Sequence, residues 1–148
     1  MLDKKIVHAR ALEIISSKLN EIQHEFDALQ EALMSETKSS AGDKHETGRA
    51  MAQLEQEKLS RQLSETRKLR DGLKQIDPTE KHTHIGFGSL VETERGYFFV
   101  SVGVGQVEVT GTKVFCITAG SPLGQKLLNT TQGDTLEMNG TMRILSVT

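Results

Sequence analysis

Hydrophobic residues in the first quarter of the chain recur at alternating steps of three and four: Leu12, Ile15, Leu19, Ile22, Phe26, Leu29 and Leu33. That spacing lines one face of a helix and sustains a heptad seam over three repeats. A second run, Ala52, Leu59, Leu63, Leu69, Leu73 and Ile76, follows the same rule less regularly, with Thr66 and Arg70 interrupting it. Between the runs lies Ser39-Ser40-Ala41-Gly42-Asp43-Lys44-His45-Glu46-Thr47-Gly48-Arg49, a polar, glycine-broken stretch that reads as the tip of a hairpin. The arms, 5 to 35 and 46 to 76, match in length, so the pattern predicts an intramolecular antiparallel coiled-coil pair rather than a dimer. Each arm is on the order of 45 Å long at about 1.5 Å per residue. A pair so slender has little core of its own, and its base must be held by something else.

The period changes after Pro78. Residues 85–91, 97–102, 106–110, 113–118, 134–138 and 141–147 are short runs rich in Val, Ile, Phe and Thr with turn residues between them, which predicts strands. Glu92-Thr93-Glu94-Arg95-Gly96 reads as a hairpin loop, and Asn139-Gly140 is the strongest hairpin signal because both positions accept positive φ. One short helix interrupts the strands: Ser121 can cap it, Pro122 suits its first position, Leu123, Leu127 and Leu128 give it an apolar stripe, and Asn129 can take the left-handed stop. The fold class expected is α+β, a helical hairpin followed by a small, mostly antiparallel sheet with one short helix.

Composition divides the chain in the same way. Residues 1–77 are rich in Glu, Gln, Lys, Leu and Ala, whereas most of the Gly, Val, Thr and Phe fall within 84–148. The division predicts a hairpin over 1–77 with its tip near 40–48, a linker over 78–84 and a β domain over 85–148. A net charge of −2 argues against nucleic-acid binding through bulk charge. Cys116 is the single cysteine, so no internal disulfide can form, and its apolar neighbours point to a small core residue rather than a nucleophile. No apolar run approaches membrane-spanning length and the start lacks a secretory pattern, so a soluble cytoplasmic protein with no membrane partner is expected.

The tip carries the candidate chemistry. Asp43 and Glu46 stand three positions apart, and on the first turn of a returning helix that spacing sets both on one face. On spacing alone the pair reads first as a capping box, which satisfies free backbone N–H groups and nothing more. Lys38, Lys44, Arg49, Lys58 and Arg61 form a basic flank that could follow a phosphate backbone, although the mixed charges of the outer faces read first as a solvated helix surface. His8, His24 and His45 share no ligand spacing, and His82-Thr83-His84 in the linker is a weak metal signal.

Ser121-Pro122-Leu123-Gly124-Gln125-Lys126-Leu127-Leu128, followed by Gly133-Asp134, resembles the Ser-Pro-Leu-Gly-x-x-Leu-Leu…Gly-Asp signature of bacterial Gre-type transcription elongation factors. Gly42-Asp43-Lys44-His45-Glu46 is similar to the Gly-Asp-x-x-Glu that the family bears at the end of its N-terminal coiled-coil hairpin. The resemblance covers nearly the whole chain in domain order. It implies a C-terminal domain similar to the FK506-binding-protein fold, docking of that domain at the rim of the RNA polymerase secondary channel, and a hairpin that passes down the channel. It further implies that Asp43 and Glu46 help hold a catalytic Mg²⁺ jointly with the polymerase, so that the polymerase cleaves backtracked RNA.

On this reading the protein has no cofactor of its own and is an accessory factor rather than an enzyme. It acts as a monomer and touches the RNA 3′ end only indirectly. Ser121, Pro122 and Leu123 are the implied docking residues, and Lys44 and Arg49 the basic contacts at the tip. After the second acid the family continues Asn-Ala-acid-Tyr, where this chain has Thr47-Gly48-Arg49-Ala50. Two alternatives stay open: a secondary-channel regulator that does not stimulate cleavage, and a coiled-coil interaction adaptor unrelated to transcription. Prolyl isomerase activity is not expected, because with no Trp and one Tyr the chain is short of the aromatic residues that line such a pocket.

Overall fold

The computed structural model describes residues 2–36 and 43–148, and the side chains of all of these except 36 and 43–46. Two long helices, α1 (Lys4–Glu36) and α2 (Asp43–Lys74), precede six strands and one short helix. The strands are β1 (Leu90–Thr93), β2 (Gly96–Val100), β3 (Gly105–Val109), β4 (Thr112–Ile117), β5 (Thr135–Glu137) and β6 (Thr141–Val147), with α3 (Pro122–Leu127) between β4 and β5. The architecture is α+β, a helical hairpin followed by a small sheet with a short helix. Among the described residues no helix is long and apolar enough to cross a membrane. The chain clusters into two compact units, Ile15–Lys68 on the one hand and Met1–Ile14 with Leu69–Thr148 on the other.

The Ile15–Lys68 unit is the paired middle of the helices. Leu19, Ile22, Leu59 and Leu63 form its core, with Phe26 and Leu29 packed against them. Thr66, which interrupts the apolar run of α2, is nevertheless buried at 3% exposure. Its hydroxyl donates to the Gln62 carbonyl at 2.7 Å, one turn back, so the side chain presents its methyl to the seam and leaves no polar group unpaired. Across the pair, Arg67 donates to Gln23 Oε1 at 3.2 Å.

The other unit holds the sheet, in the order β3-β4-β2-β1-β6-β5. All pairings are antiparallel except β2 with β4, which run parallel with Phe98 beside Phe115 and Phe99 beside Cys116. The chain leaves β2 through 101–104, passes to the far side of β4's position as β3, and returns by a turn at Thr110 (φ 48°) and Gly111 (φ 80°). Asn139 (φ 52°) and Gly140 (φ 108°) make the second such turn, between β5 and β6. The expected strand over 85–91 begins only at Leu90, because Gly88 (φ 92°) bends the chain. Ile85 pairs instead with the segment after α3, through Ile85 N to Thr130 O at 2.8 Å and Asn129 N to Ile85 O at 2.9 Å.

Strand alternation gives the sheet two buried faces. On one, Ile85, Val91, Val100, Leu136, Met142 and Ile144 surround Leu127 of α3. On the other, Leu90, Phe99, Val107, Val114 and Cys116 are buried at 5% exposure or less. Burial pushes the Cys116 thiol up to about 11, in keeping with an inert core position. The near ends of the helices supply the cover for this second face. His8 stands edge-on to Phe99 with centroids 6.4 Å apart, and its Nε2 donates to the Leu73 carbonyl at 2.7 Å. Val7, Ala11 and Leu73 have no exposed surface. Gly72 lets α2 approach the loop after β2 so closely that a Cβ there would stand 2.7 Å from Val102.

Asp3 opens α1 by accepting from Lys5 N at 2.9 Å. Lys4, 5% exposed, donates to the Glu80 and Thr148 carbonyls at 2.5 and 2.9 Å, joining the helix start to the segment after α2 and to the residue after β6. Burial lowers its pKa, opposed by the Glu80 and Asp77 carboxylates. Ser89 is fully buried; its Oγ accepts from Gly86 N at 2.9 Å and lies 2.5 Å from His82 Nδ1. Every group is satisfied when Ser89 donates and Nδ1 accepts, which requires neutral His82. Desolvation lowers the His82 pKa, the Lys4 charge adds to this, and Glu80 opposes it.

A histidine held below its ordinary value near about 6.5 favours the neutral form in the fold, so its contribution is complete above that pH and is lost as pH falls through the folded value. Urea unfolding at pH 7.5 and at pH 5 will therefore show an acid loss of stability that is smaller in His82→Asn. Equal losses in the two proteins would exclude this role for His82.

Candidate functional site

The two sequence-predicted sites fall in different units. At the tip, α2 opens at Asp43, so Glu46 belongs to the same first turn, where positions three apart share a face. The side chains of Asp43, Lys44 and Glu46 lie outside the described residues, as does Lys38. Thr47, Gly48 and Ala50 are exposed, and a Cβ at Gly48 would meet nothing within 4 Å, so packing does not demand a glycine there. Arg49 is half-buried and lines a shallow groove with Gln30, Leu33, Met34, Gln53 and Gln56. Lys58 and Arg61 are exposed on α2, one turn apart.

Three residues near the tip drew no attention in the sequence: Met34, Met51 and Leu54 are 63%, 67% and 65% exposed. The signal was available, since Met51 and Leu54 follow each other by three but fall out of phase with Leu59 and Leu63.

The Ser121 signature is described in full, and most of it builds the fold. Ser121 caps α3, its Oγ accepting from Gly124 N at 3.0 Å and donating to Thr118 O at 2.8 Å. Gly124 is buried, and a Cβ there would stand 2.0 Å from the Thr118 carbonyl, so the helix can sit on its own capping turn only with glycine at that position. Leu127 fills the core. Asn129 (φ 66°) ends the helix in the left-handed region. Gly133 (φ 91°) then turns the chain, and Asp134 closes that turn by accepting from Thr131 N at 2.9 Å.

Of the residues that the resemblance implies for docking, Pro122 is exposed and Leu123 is half-buried, its inner part packed on the core; Gln125 and Lys126 are also exposed. Ser121 positions Pro122 and Leu123 and has its hydroxyl committed at both ends. Nearby on the same sheet face, Phe98 and Phe115 pair with centroids 5.9 Å apart, and Phe115 is 39% exposed.

His82 and His84 do not converge: the first bonds Ser89, the second lies exposed beside Thr83. Among the described residues no group of three or more His, Cys, Asp or Glu side chains could hold a metal ion.

The steric argument predicts that Gly124→Ala destabilises the fold by about 2–3 kcal/mol in chemical denaturation, whereas Pro122→Ala changes stability by less than about 0.5 kcal/mol. No family model matches the chain, and no curated protein matches it. Among solved structures the chain is similar to that of the transcription factor Gfh1, at 20% identity over 93% of each chain with a TM-score of 0.35.

Proposed function

We propose that the chain is a transcription elongation factor that binds RNA polymerase through its secondary channel and stimulates the polymerase's own cleavage of backtracked RNA. The observation that carries this reading is the joint placement of two motifs: Asp43-x-x-Glu46 opens the second helix of a hairpin, and the Ser121 signature builds a helix on the sheet that follows.

The acids suit the task. Mg²⁺ is a hard cation that keeps several waters and needs one or two protein carboxylates beside oxygens already in place, and it would supply charge stabilisation and an activated water. Two carboxylates on one helical turn are too few to hold it alone, so the protein is inactive without the polymerase. Asp43 and Glu46 complete a site owned by another protein. Lys44 and Arg49 offer positive charge to phosphates near the RNA 3′ end. Pro122 and Leu123 form the docking contact, held in place by the Ser121 cap.

One observation favours a second reading. Thr47-Gly48-Arg49-Ala50 replaces the family's Asn-Ala-acid-Tyr with a helix-weakening glycine and a cation, which favours a channel-binding regulator that leaves cleavage unstimulated.

Adding the protein to stalled, backtracked elongation complexes with Mg²⁺ separates the readings. Shortening of the RNA from its 3′ end is expected, slowed by at least about tenfold in Asp43→Ala and in Glu46→Ala. Binding without shortening would establish the second reading, and absence of any association with the polymerase would exclude both.

A further inference from the structure

The sheet ends on one side in β3 and on the other in β5. The two edges differ. Strand β5 has three residues, while β3 has five in unbroken register with β4, from Gly105 beside Cys116 to Val109 beside Thr112. An edge strand presents unpaired N–H and C=O groups, and natural edges are commonly blunted by proline, lysine, a bulge or extreme shortness. Gly105-Gln106-Val107-Glu108-Val109 holds no proline or lysine and is of ordinary length; its one charge is Glu108, its one left-handed residue is Gly105 (φ 92°) at the strand start, and no described strand pairs with its outer side.

The sequence of this edge is complementary to itself. Laid antiparallel against a second copy about a two-fold axis through Val107, the strand places Val107 opposite Val107, Gln106 opposite Glu108 twice, and Gly105 opposite Val109 twice. Alternation is preserved: Val107 and Val109 are buried, whereas Gln106 and Glu108 are exposed. Each Glu108 therefore meets an amide that can donate to it rather than another carboxylate. A register centred on Glu108 would oppose like charges, and a one-residue slip would set exposed positions against buried ones.

We propose that β3 is a homodimerisation edge, at which two copies of the chain join their sheets by antiparallel β3–β3 pairing centred on Val107. The interface is isologous, as a two-fold dimer requires. It uses no residue of the tip or of the Ser121 signature, so it stands or falls separately from the proposed function.

Sedimentation velocity of the full chain from micromolar to millimolar concentration tests it. A concentration-dependent dimer is expected. Gln106→Lys, which sets a cation opposite each Glu108, should tighten it by roughly two- to thirtyfold, and Gln106→Glu should weaken it to a similar degree. Both substitutions are on the surface and leave the core intact. Glu108→Pro, confirmed folded by circular dichroism, should leave only monomer, and if it fails to fold the two Gln106 variants decide. A monomer at every concentration, or a dimer indifferent to the sign of charge at position 106, would overturn the proposal.

Discussion

A pair of helices cannot bury enough surface to stand alone; each offers one narrow stripe, and the stripes cover only each other. The constraint governing this chain is that the near ends of the pair need a third layer. The sheet provides one because it is apolar on both faces. Val91, Val100 and Ile144 look toward α3, while Leu90, Phe99 and Val107 are buried on the opposite side, where His8 meets Phe99. Polar ties reinforce the joint where the helix start is drawn in: Lys4 spends two donors on carbonyls distant in sequence, and His8 binds α2 through Leu73. A lysine and a histidine so buried are tolerated because their donors are used.

The Ser121 signature acquires a different meaning in this setting. A motif that looks like a recognition surface is largely a recipe for placing a six-residue helix on a sheet: a cap, a glycine that admits a carbonyl, a core leucine, a left-handed stop and an aspartate-closed turn. Its contribution to function is indirect. It fixes the direction in which Pro122 and part of Leu123, the contacts of the proposed docking, face solvent. The tip motif is the converse case: its two acids have the spacing of a helix cap, and the proposed metal role uses the same spacing.

The elements were legible wherever a local period set them. The heptad seam located Ile15, Leu19, Ile22 and Leu33, all of them buried, and the Asn139-Gly140 turn has the positive φ values its residue types imply. What escaped was set by distant partners. Thr66 looked like a break in the seam until its hydroxyl found the Gln62 carbonyl. The parallel β2–β4 pair depends on β3 bypassing β4, which no local pattern encodes. The burial of Lys4 and His8 depends on residues far along the chain, Glu80 and Thr148 for the lysine and Leu73 and Phe99 for the histidine. In the candidate site, the Asp43–Glu46 spacing and the Ser121 cap could be read directly, whereas the buried role of Gly124 needed the position of the Thr118 carbonyl.

The central claim is that the near ends of the helices belong energetically with the sheet and not with the middle of the hairpin. Native-state hydrogen exchange measures this residue by residue. The account predicts that amides of residues 7–11 and 69–73 exchange only in the opening that also releases Phe99 and Val100, while those between Ile15 and Lys68 exchange through smaller openings. Helix-end amides that exchange together with residues 19–63, well before the sheet opens, would contradict it.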